Sequence, residues 1–243
     1  MSLPGKILIP LEKWIRNQQF QPSLLGIFVN SSYILRKPLY KIIKRYSASL
    51  EGKILDYGCG NSPYESLFPN CEYYGIDISL KHESDHFRKF DGKTIPFENN
   101  YFDSVICTEV IEHVSDEVFL LQEIYRVMKP NGVLLMTVPF FWEEHGHPDD
   151  YRRFTADGIK SLLEKQGLNV LASNKTTRTT ASIFQIISSR FYNRFSVSNF
   201  YLNTLITMVF IAPLNMFGLF CSNLFKGSRN IYLNTVILSK KDV

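Results

Sequence analysis

Paired cysteines are absent from this sequence of 243 residues, in which four cysteines lie far apart. They form no CxxC motif and no framework typical of a small secreted domain, so a reducing, cytoplasmic compartment is expected. Internal repeats and low-complexity tracts are absent as well. The apolar run near the N-terminus is interrupted by Pro10, which disfavours a signal peptide. With 45% hydrophobic and only 21% charged residues, the chain does not have the composition of a disordered protein.

Acidic residues are scarce at both ends of the chain. Residues 1–50 contain one acidic and eight basic residues, and residues 160–243 contain two acidic and ten basic residues. Residues 51–159 contain twenty acidic and nine basic residues, so a segment of charge −11 lies between flanks of +7 and +8. The basic flanks predict an anionic partner, for which an anionic membrane surface is the candidate. Nucleic acid is not expected, because no recognised DNA- or RNA-binding motif accompanies the basic residues.

The middle of the chain alternates short apolar segments with helical patterns. Strands are predicted at residues 53–57, 72–77, 102–108, 132–138, 168–172 and 231–239. Apolar residues at helical spacing predict an amphipathic helix over residues 115–128. Thr155 is the predicted N-cap of another helix, which reaches Gln166 and is followed by Gly167. Strands that alternate with helices predict an α/β fold with a parallel sheet covered on both faces.

The first predicted strand runs into the loop Asp56-Tyr-Gly58-Cys-Gly60, followed by a segment predicted to be helical. Glycines allow the backbone to approach a ligand closely, and the helix N-terminus would offer free amides. Asp77 ends the next strand, where a carboxylate can accept from both hydroxyls of a ribose. Proline occupies position 63, where a dinucleotide-binding loop has its third glycine, so NAD and FAD are disfavoured. These residues favour an adenosyl ligand without phosphate, with a simple turn as the alternative.

Four segments resemble, in order, the motifs of class I S-adenosylmethionine-dependent methyltransferases: KILDYGCGNSPYESLF, YYGIDIS, FDGKTIPFENNYFDSVICTEVIEHV and EIYRVMKPNGVLLMTVP. The resemblance covers about residues 50–172 and the final strand. It is nearest to the small-molecule branch that includes the polysaccharide-cluster and quinone methyltransferases. It implies a Rossmann-like, doubly wound sheet that is mostly parallel with an antiparallel last strand. It also implies S-adenosylmethionine as the cofactor.

The resemblance assigns cofactor contacts to residues of the acidic middle segment. Implied at the methionine end are Asp56, Gly58, Gly60, Thr108 and Glu109, and implied at the adenosine end are Asp77, Ile78, Asp91 and Gly92. S-adenosylmethionine carries a sulfonium, an ammonium, a diol and an exocyclic amine. All four groups suit carboxylates and carbonyls, so the ligand agrees with the negative charge of this segment.

Catalytic candidates are fewer, because the cofactor supplies the methyl group and the protein mainly positions and desolvates the reactants. A hydroxyl acceptor can also need a general base. His113 is one candidate, and a structural hydrogen-bonding role is its equal alternative. The others are His145, His147 and Tyr151 in HGHPDDYRRFT, a segment similar to a motif of the polysaccharide-cluster branch that implies a loop over the acceptor pocket.

The same loop contains a possible metal-binding spacing and two arginines of undecided role. The spacing His145-x-His147-x-Asp149 is similar to the HxHxDH run of metallo-β-lactamase-like hydrolases. Position 150 is aspartate rather than histidine and the strand pattern does not fit that fold, so no metal site is predicted. Two arginines at 152 and 153 either pair with the aspartates at 149 and 150 or contact an anionic acceptor.

The flanks are predicted to be helical. Residues 1–50 are expected to form an N-terminal helical lid, and residues 51–243 a methyltransferase domain with a hydrophobic helical insert at about 178–229. Residues 205–221 lack charge, but a bilayer crossing needs about 20 residues, and Pro213 and Asn215 interrupt this run. The strand that follows is needed in the sheet, so a crossing is disfavoured. An in-plane or re-entrant amphipathic segment and a buried lid or dimer-forming helical pair are equal alternatives.

The sequence therefore predicts an S-adenosylmethionine-dependent methyltransferase that acts on a small-molecule, glycan or lipid-linked acceptor by in-line transfer. A cytoplasmic location with peripheral membrane association is expected. One alternative is a non-catalytic methyltransferase-like protein that binds a membrane surface. A nicotinamide-dependent oxidoreductase is the other, disfavoured by Pro63. The oligomeric state and the identity of the acceptor are left open.

Overall fold

The computed structural model describes residues 3–242, and seven segments of it form one sheet. In chain order the strands are β1 (Lys53–Tyr57), β2 (Glu72–Asp77), β3 (Phe87–Lys89), β4 (Phe102–Thr108), β5 (Met128–Pro139), β6 (Leu168–Lys175) and β7 (Asn234–Lys241). Their order across the sheet is β3-β2-β1-β4-β5-β7-β6. β7 is antiparallel to both of its neighbours and all other pairs are parallel. This confirms the predicted α/β, Rossmann-like sheet with an antiparallel last strand.

Helices occur before the first strand and between later strands. In chain order they are α1 (Leu3–Gln18), α2 (Tyr33–Ser47), α3 (Glu117–Val127), α4 (Ala156–Lys165), α5 (Thr179–Phe195), α6 (Phe200–Ile206) and α7 (Ala212–Leu224). A π-helical turn, Thr207–Ile211, joins α6 directly to α7. As predicted, Thr155 caps α4 by accepting from the Gly158 amide at 3.0 Å, and Gly167 follows that helix with a φ of +81°.

The hydrophobic core of the sheet is formed by short apolar strands and the apolar stripes of α3 and α4. Each helix fully buries the centre of its stripe, as shown by Leu121 and Ile124 of α3 and by Ile159 and Leu163 of α4. Full burial of one such side chain contributes about 1.5–3 kcal/mol to folding. These buried contacts fix the carboxyl ends of β1, β2 and β4 relative to one another.

The helix predicted after the Gly58–Gly60 loop does not form. The connection from β1 to β2 contains only a short 3-10 turn, Glu65–Leu67. Pro63 has no amide hydrogen, Ser62 has a φ of +48°, and Pro69 stops any extension of the turn. The free amides expected from a helix N-terminus are therefore not available at this loop.

The chain divides into two compact units. One consists of Ile42–Lys175 with the C-terminal strand from Leu233 onward, and contains the whole sheet. The other consists of the chain up to Lys41 together with Thr176–Tyr232. The N-terminal helices thus group with the helical segment between β6 and β7, close to the predicted insert at 178–229. Their expected role as a lid stays a prediction.

Polar side chains connect the parts of the helical unit. The Gln185 side chain accepts from the Leu35 amide at 3.1 Å and donates to the Ser31 carbonyl at 3.2 Å. Ser188 donates to Asn215 Oδ1 at 2.7 Å, which links α5 to α7. By length and composition, the continuous helix Phe200–Leu224 is the one candidate for a membrane span among the described residues.

Candidate functional site

A cavity of about 550 Å³ lies at the carboxyl ends of β1, β2 and β4, the edge at which open α/β sheets bind ligands. Eight of the thirteen residues predicted for the site line this cavity: Gly58, Asp77, Ile78, Asp91, Gly92, Glu109, His113 and Tyr151. The other five lie outside its lining: Asp56, Gly60, Thr108, His145 and His147. The structure thus brings together residues from five separate segments of the sequence, one after each of the strands β1 to β5.

The loop after β1 exposes backbone to the cavity at residue 58. Gly58 donates its amide to the Ile76 carbonyl at 2.8 Å and has a φ of +70°, in the region that favours glycine. A β-carbon at this position would lie 2.6 Å from Cγ2 of Val110, another lining residue. Glycine is therefore required here by both backbone conformation and space.

Asp77 is the most firmly oriented acid of the cavity. Its Oδ2 accepts from the Gly60 amide at 2.9 Å, and its Oδ1 accepts from the Ser79 amide and hydroxyl at 2.7 and 2.6 Å. Gly60 therefore contributes by holding this carboxylate rather than by lining the cavity. A carboxylate offers about four lone-pair positions, so Asp77 retains acceptor capacity for a ligand diol.

The adenine end predicted from the sequence has both an apolar and an acidic contributor. Ile78 follows β2 directly and is 60% exposed although it is a large hydrophobic residue. Asp91 lies in the segment after β3, where its Oδ1 accepts from the Lys93 amide at 2.9 Å. Gly92 has a φ of +79° and would place a β-carbon 3.3 Å from Cγ2 of Ile78. An exposed apolar side chain next to an acid suits a planar ring with an amino group.

Asp56 lies beneath the loop rather than in the cavity. It is only 2% exposed, and Oδ2 accepts from the Tyr73 hydroxyl at 2.5 Å. Burial raises the pKa of Asp56 to about 7, against the opposing effect of this hydrogen bond, with Asp77 contributing further in the same direction. Thr108, the last residue of β4, is paired with Thr137 of β5 in the sheet. Both residues support the loops that reach the cavity.

Glu109 lines the cavity in a strained backbone conformation. Its φ is +56°, which is uncommon for a residue with a side chain and recurs at functional sites. Thr137 Oγ1 donates to Oε1 and Asn234 Nδ2 donates to Oε2, both at 2.7 Å. The sequence analysis missed Thr137 and Asn234, although the buried asparagine in an apolar strand was a usable signal. Both donors orient the acid that directly follows β4.

His113, from the turn that follows β4, and Tyr151, from the loop that follows β5, also line the cavity. His113 Nδ1 lies in short hydrogen-bond contact with the Asp149 carbonyl, and Tyr151 Oη donates to Asp149 Oδ1 at 2.9 Å. This hydrogen bond raises the pKa of Tyr151, which makes its hydroxyl a donor rather than a base. Gly146, with a φ of +70°, allows the loop to pass against the His113 ring.

Ion pairs fix the loop that carries His145 and His147. Arg153 donates to both oxygens of Asp150 at 2.5 and 2.7 Å, and this pair lowers the pKa of Asp150. Arg152 pairs with Glu117 of α3 instead of a loop aspartate. The pair of Arg153 with Asp150 agrees with the interpretation in which the arginines pair with loop aspartates. His145 lies near this pair, whereas His147 is exposed and lies 3.5 Å from Glu144.

Glu112 is a buried acid that the sequence analysis did not single out. Its side chain is fully buried, and neither carboxylate oxygen has a hydrogen-bond partner among the described residues. Burial, with a further contribution from Glu109, raises the pKa of Glu112 to about 9. His113 Nε2 lies 3.8 Å from Glu112 Oε1. Nothing in a single sequence distinguishes this acid from the exposed acids of the same segment.

Comparisons with known proteins agree with this geometry. A family model described as a methyltransferase domain matches residues 32–173, which is more than half of the chain. Over 94 residues the chain is 37% identical to tRNA (carboxymethyluridine(34)-5-O)-methyltransferase of Arabidopsis thaliana, covering 35% of this chain and 23% of that protein. Over 108 residues it is 32% identical to demethylmenaquinone methyltransferase of Anoxybacillus flavithermus, covering 37% and 46%.

The fold is also found among solved structures. Phosphoethanolamine N-methyltransferase 2 of Haemonchus contortus, in complex with S-adenosyl-L-methionine, superposes with a TM-score of 0.55 and 19% identity. The match covers 93% of this chain and 59% of that one, and at this identity it concerns the fold alone. The chain spans about a quarter to about half of the length of the curated relatives that it matches.

Proposed function

Because the chain belongs to the family of S-adenosylmethionine-dependent methyltransferase domains, we propose that it transfers a methyl group to a small-molecule, glycan or lipid-linked acceptor by in-line displacement. The observation that carries this proposal is the cavity lined by Gly58, Asp77, Asp91 and Glu109 from successive strand ends. Its volume of about 550 Å³ lies within the range of small-molecule sites, about 300–1,000 Å³.

The lining suits the cofactor group by group. Asp77 has the acceptor capacity to take the ribose diol, while exposed Ile78 can pack on the adenine and Asp91 can accept from its amino group. Glu109 provides negative charge for the ammonium and sulfonium end, held in place by Thr137 and Asn234. When bound, the cofactor supplies the electrophilic methyl group. The residues of the chain orient it, exclude water and provide complementary charge.

The acceptor would enter at the part of the cavity lined by His113, Asp149 and Tyr151. His113 has one ring nitrogen engaged by the Asp149 carbonyl, which leaves Nε2 to accept a proton from an acceptor hydroxyl. Tyr151 can donate a hydrogen bond to the acceptor. His145 and His147 lie outside the lining, so in this proposal they act only through the loop.

We expect calorimetry to detect S-adenosylmethionine binding to the folded protein with a dissociation constant in the micromolar range. A labelled-methyl assay then compares extracted lipids, glycans and tRNA as acceptors, because one relative is named for tRNA and another for demethylmenaquinone. Labelled product in the lipid or glycan fraction supports the proposal. Absence of binding heat from folded protein contradicts it. Binding without turnover favours the non-catalytic alternative, and NADH binding detected by fluorescence favours the oxidoreductase.

We further propose that the helical unit contacts a membrane, because two of its helices have inverted polarity. Along α5 the buried side chains are small or polar, and the exposed ones are large and apolar, such as Ile183, Phe191 and Phe195. Along α7 the same holds, with Asn215 and Gly218 buried and large apolar residues exposed. Small residues at helix contacts with large apolar residues outside are typical of helices in lipid.

Basic residues accompany this apolar surface. Four basic residues lie on or near the ends of α5 and α7: Arg190, Arg194, Lys226 and Arg229. All four are exposed, and this part of the chain carries no acid. Cations beside exposed aromatic residues suit an anionic leaflet, with about 1 kcal/mol gained for each Lys or Arg near the surface. This favours a peripheral or in-plane association of a protein that is otherwise expected in the cytoplasm.

We expect the protein to float with anionic liposomes. Replacing Phe210, Phe217 and Phe220 with serine should reduce the floated fraction at least tenfold, because each removes an exposed aromatic ring without opening the core. Leu171→Ser is the matched control, since Leu171 is 53% exposed on the sheet unit. Equal flotation of the triple variant and the control would remove the proposed membrane contact. Far-UV circular dichroism verifies that both variants are folded.

A further inference from the structure

Three side chains that can bind a metal ion converge beside the cavity. Glu112, His113 and His145 each offer one ligand atom, and these atoms all lie within 4.8 Å of one another. Of these atoms, His113 Nε2 and Glu112 Oε1 are 3.8 Å apart. The rings of His113 and His145 are nearly perpendicular, with centroids 4.8 Å apart. The cluster combines residues of two loops, those that follow β4 and β5.

The buried carboxylate of Glu112 is the evidence that this cluster binds a ligand. Its carboxylate is fully buried, and both oxygens lack a hydrogen-bond partner among the described residues. Arg153 is the nearby cation, but its guanidinium donates to Asp150. A buried carboxylate without a partner is costly, and coordination of a cation is one of the ways in which proteins satisfy it.

The histidines are oriented as metal ligands are. His113 Nδ1 lies against the Asp149 carbonyl, which places the proton on Nδ1 and leaves the lone pair of Nε2 directed toward Glu112. Backbone carbonyls play this outer role in many metal sites, where they fix the tautomer of the ligating imidazole. The His145 ring is also held by a carbonyl, that of Glu143, at 3.2 Å from Nδ1. Arg153 approaches the same nitrogen at the longer distance of 3.4 Å.

We propose that Glu112, His113 and His145 bind one divalent transition-metal ion, for which zinc has the matching ligand chemistry. Two imidazoles and one carboxylate form a known zinc ligand set, which leaves a fourth position for water or substrate. With zinc–ligand distances of about 2.0–2.2 Å, the ligand atoms must each move by roughly 1 Å to close the site. His113 and Gly146, the neighbour of His145, line the cavity, so the open position faces the acceptor region.

The role of the ion, unlike its binding, rests on the proposed function. Because His113 Nε2 would then be a metal ligand, the ion would take the place of the general base proposed above. An acceptor hydroxyl at the open position would have a lowered pKa, would lose its proton to solvent water, and would reach the methyl group as an oxyanion. The site would then favour oxygen acceptors that can also bind a metal. It differs from the His145-x-His147-x-Asp149 spacing considered in the sequence, because it uses Glu112 and excludes the exposed His147.

We expect equilibrium dialysis of untagged, chelator-treated protein to find one Zn²⁺ per chain with a dissociation constant in the micromolar range or below. Visible absorption after addition of Co²⁺ should show the d–d bands of a nitrogen- and oxygen-ligated ion. His145→Ala and Glu112→Gln should each weaken Zn²⁺ binding at least tenfold, since even the loss of an outer hydrogen bond costs tenfold or more. All variants carry Cys71→Ser, because Cys71 is the free cysteine that is not buried.

His147→Ala is the matched control, since this exposed histidine lies in the same loop outside the cluster. It should bind Zn²⁺ within twofold of the protein that carries Cys71→Ser alone. Equal affinities of His145→Ala and His147→Ala, or no stoichiometric Zn²⁺ or Co²⁺ binding by folded protein, would overturn the proposal. If Glu112→Gln does not fold, the Zn²⁺ affinity of His145→Ala alone tests the proposal. Calorimetry with S-adenosylmethionine on the same samples tests the proposed function separately. A protein that binds the cofactor but no metal ion contradicts only the metal site.

Discussion

Asp77→Ala is expected to weaken S-adenosylmethionine binding about 100-fold. The alanine removes the carboxylate that accepts from the ribose diol in the proposed complex, and hydrogen bonds to a charged group contribute about 1.5–3 kcal/mol each. It also releases the Gly60 amide and the two donors of Ser79, which the Asp77 oxygens hold at 2.6–2.9 Å. Loop order and ligand contact are therefore lost together. Calorimetric titration of the purified variant measures the change.

Two comparisons separate these contributions. Asp77→Asn preserves the shape of the side chain and one acceptor oxygen, so an intermediate loss of about tenfold is expected. Asp85→Ala removes an exposed acid of the same segment, and should leave the affinity within twofold. If Asp77→Ala binds the cofactor as tightly as Asp85→Ala does, the ribose contact assigned to Asp77 is wrong. Thermal unfolding of the three variants shows whether the loop also supports the fold.

The strands that meet at the cavity could be predicted closely from the sequence. β1, β2 and β4 have the predicted bounds, because each is a short apolar run that ends at glycine, aspartate or a polar residue. β5 instead begins four residues early, at Met128, and includes Asn131 with a φ of +65°. The sequence Asn131-Gly132 is typical of a turn, but this segment lies within β5, which pairs with β4. Local patterns fixed the strand centres, and long-range pairing fixed the ends.

The site was less predictable, because its geometry depends on contacts between distant segments. Eight lining residues follow strand ends or lie in the HGHPDDYRRFT loop, which the motifs could indicate. The orientation of Glu109 depends on Asn234, 125 residues away. Burial of Asp56 below the loop depends on Tyr73 in the adjacent strand. The asparagine in the apolar last strand indicates a buried polar group but not its partner, and the contact between Asp56 and Tyr73 has no signature in one sequence.

The inverted polarity of α5 and α7 also depends on contacts between segments that are distant in the sequence. The sequence shows an amphipathic α5 and an apolar α6–α7 segment, but not which face is buried. In the structure, Gln185 and Ser188 face inward because they have hydrogen-bond partners in Ser31, Leu35 and Asn215. Once these partners bury the polar side, the apolar side is left at the surface. The membrane contact proposed for this unit follows from the exposure of these apolar faces.

Asp56→Asn is expected to remove the contribution of one buried carboxyl group to a pH-dependent loss of stability. The pKa of Asp56 is about 7 in the folded protein and about 3.9 in an unfolded chain. The folded state thus binds the proton more tightly, and the free energy of unfolding falls as pH rises from about 4 to about 7. A difference of about three pKa units corresponds to at most about 4 kcal/mol, since each unit is 1.36 kcal/mol. Above pH 7 this loss is complete and constant.

The carboxamide carries no charge at any of these pH values, while its oxygen can still accept from the Tyr73 hydroxyl. Urea unfolding at pH 5 and pH 8 should therefore show a smaller fall in stability for Asp56→Asn than for the unmodified protein. The difference between the two pH values is the decisive quantity, because a buried amide that lacks a partner lowers stability equally at both. Asp157→Asn, at an exposed position of α4, should retain the full fall. Equal pH dependence in both variants would show that Asp56 is already ionised at pH 5 in the folded protein, as a negative charge buried beneath the loop that follows β1.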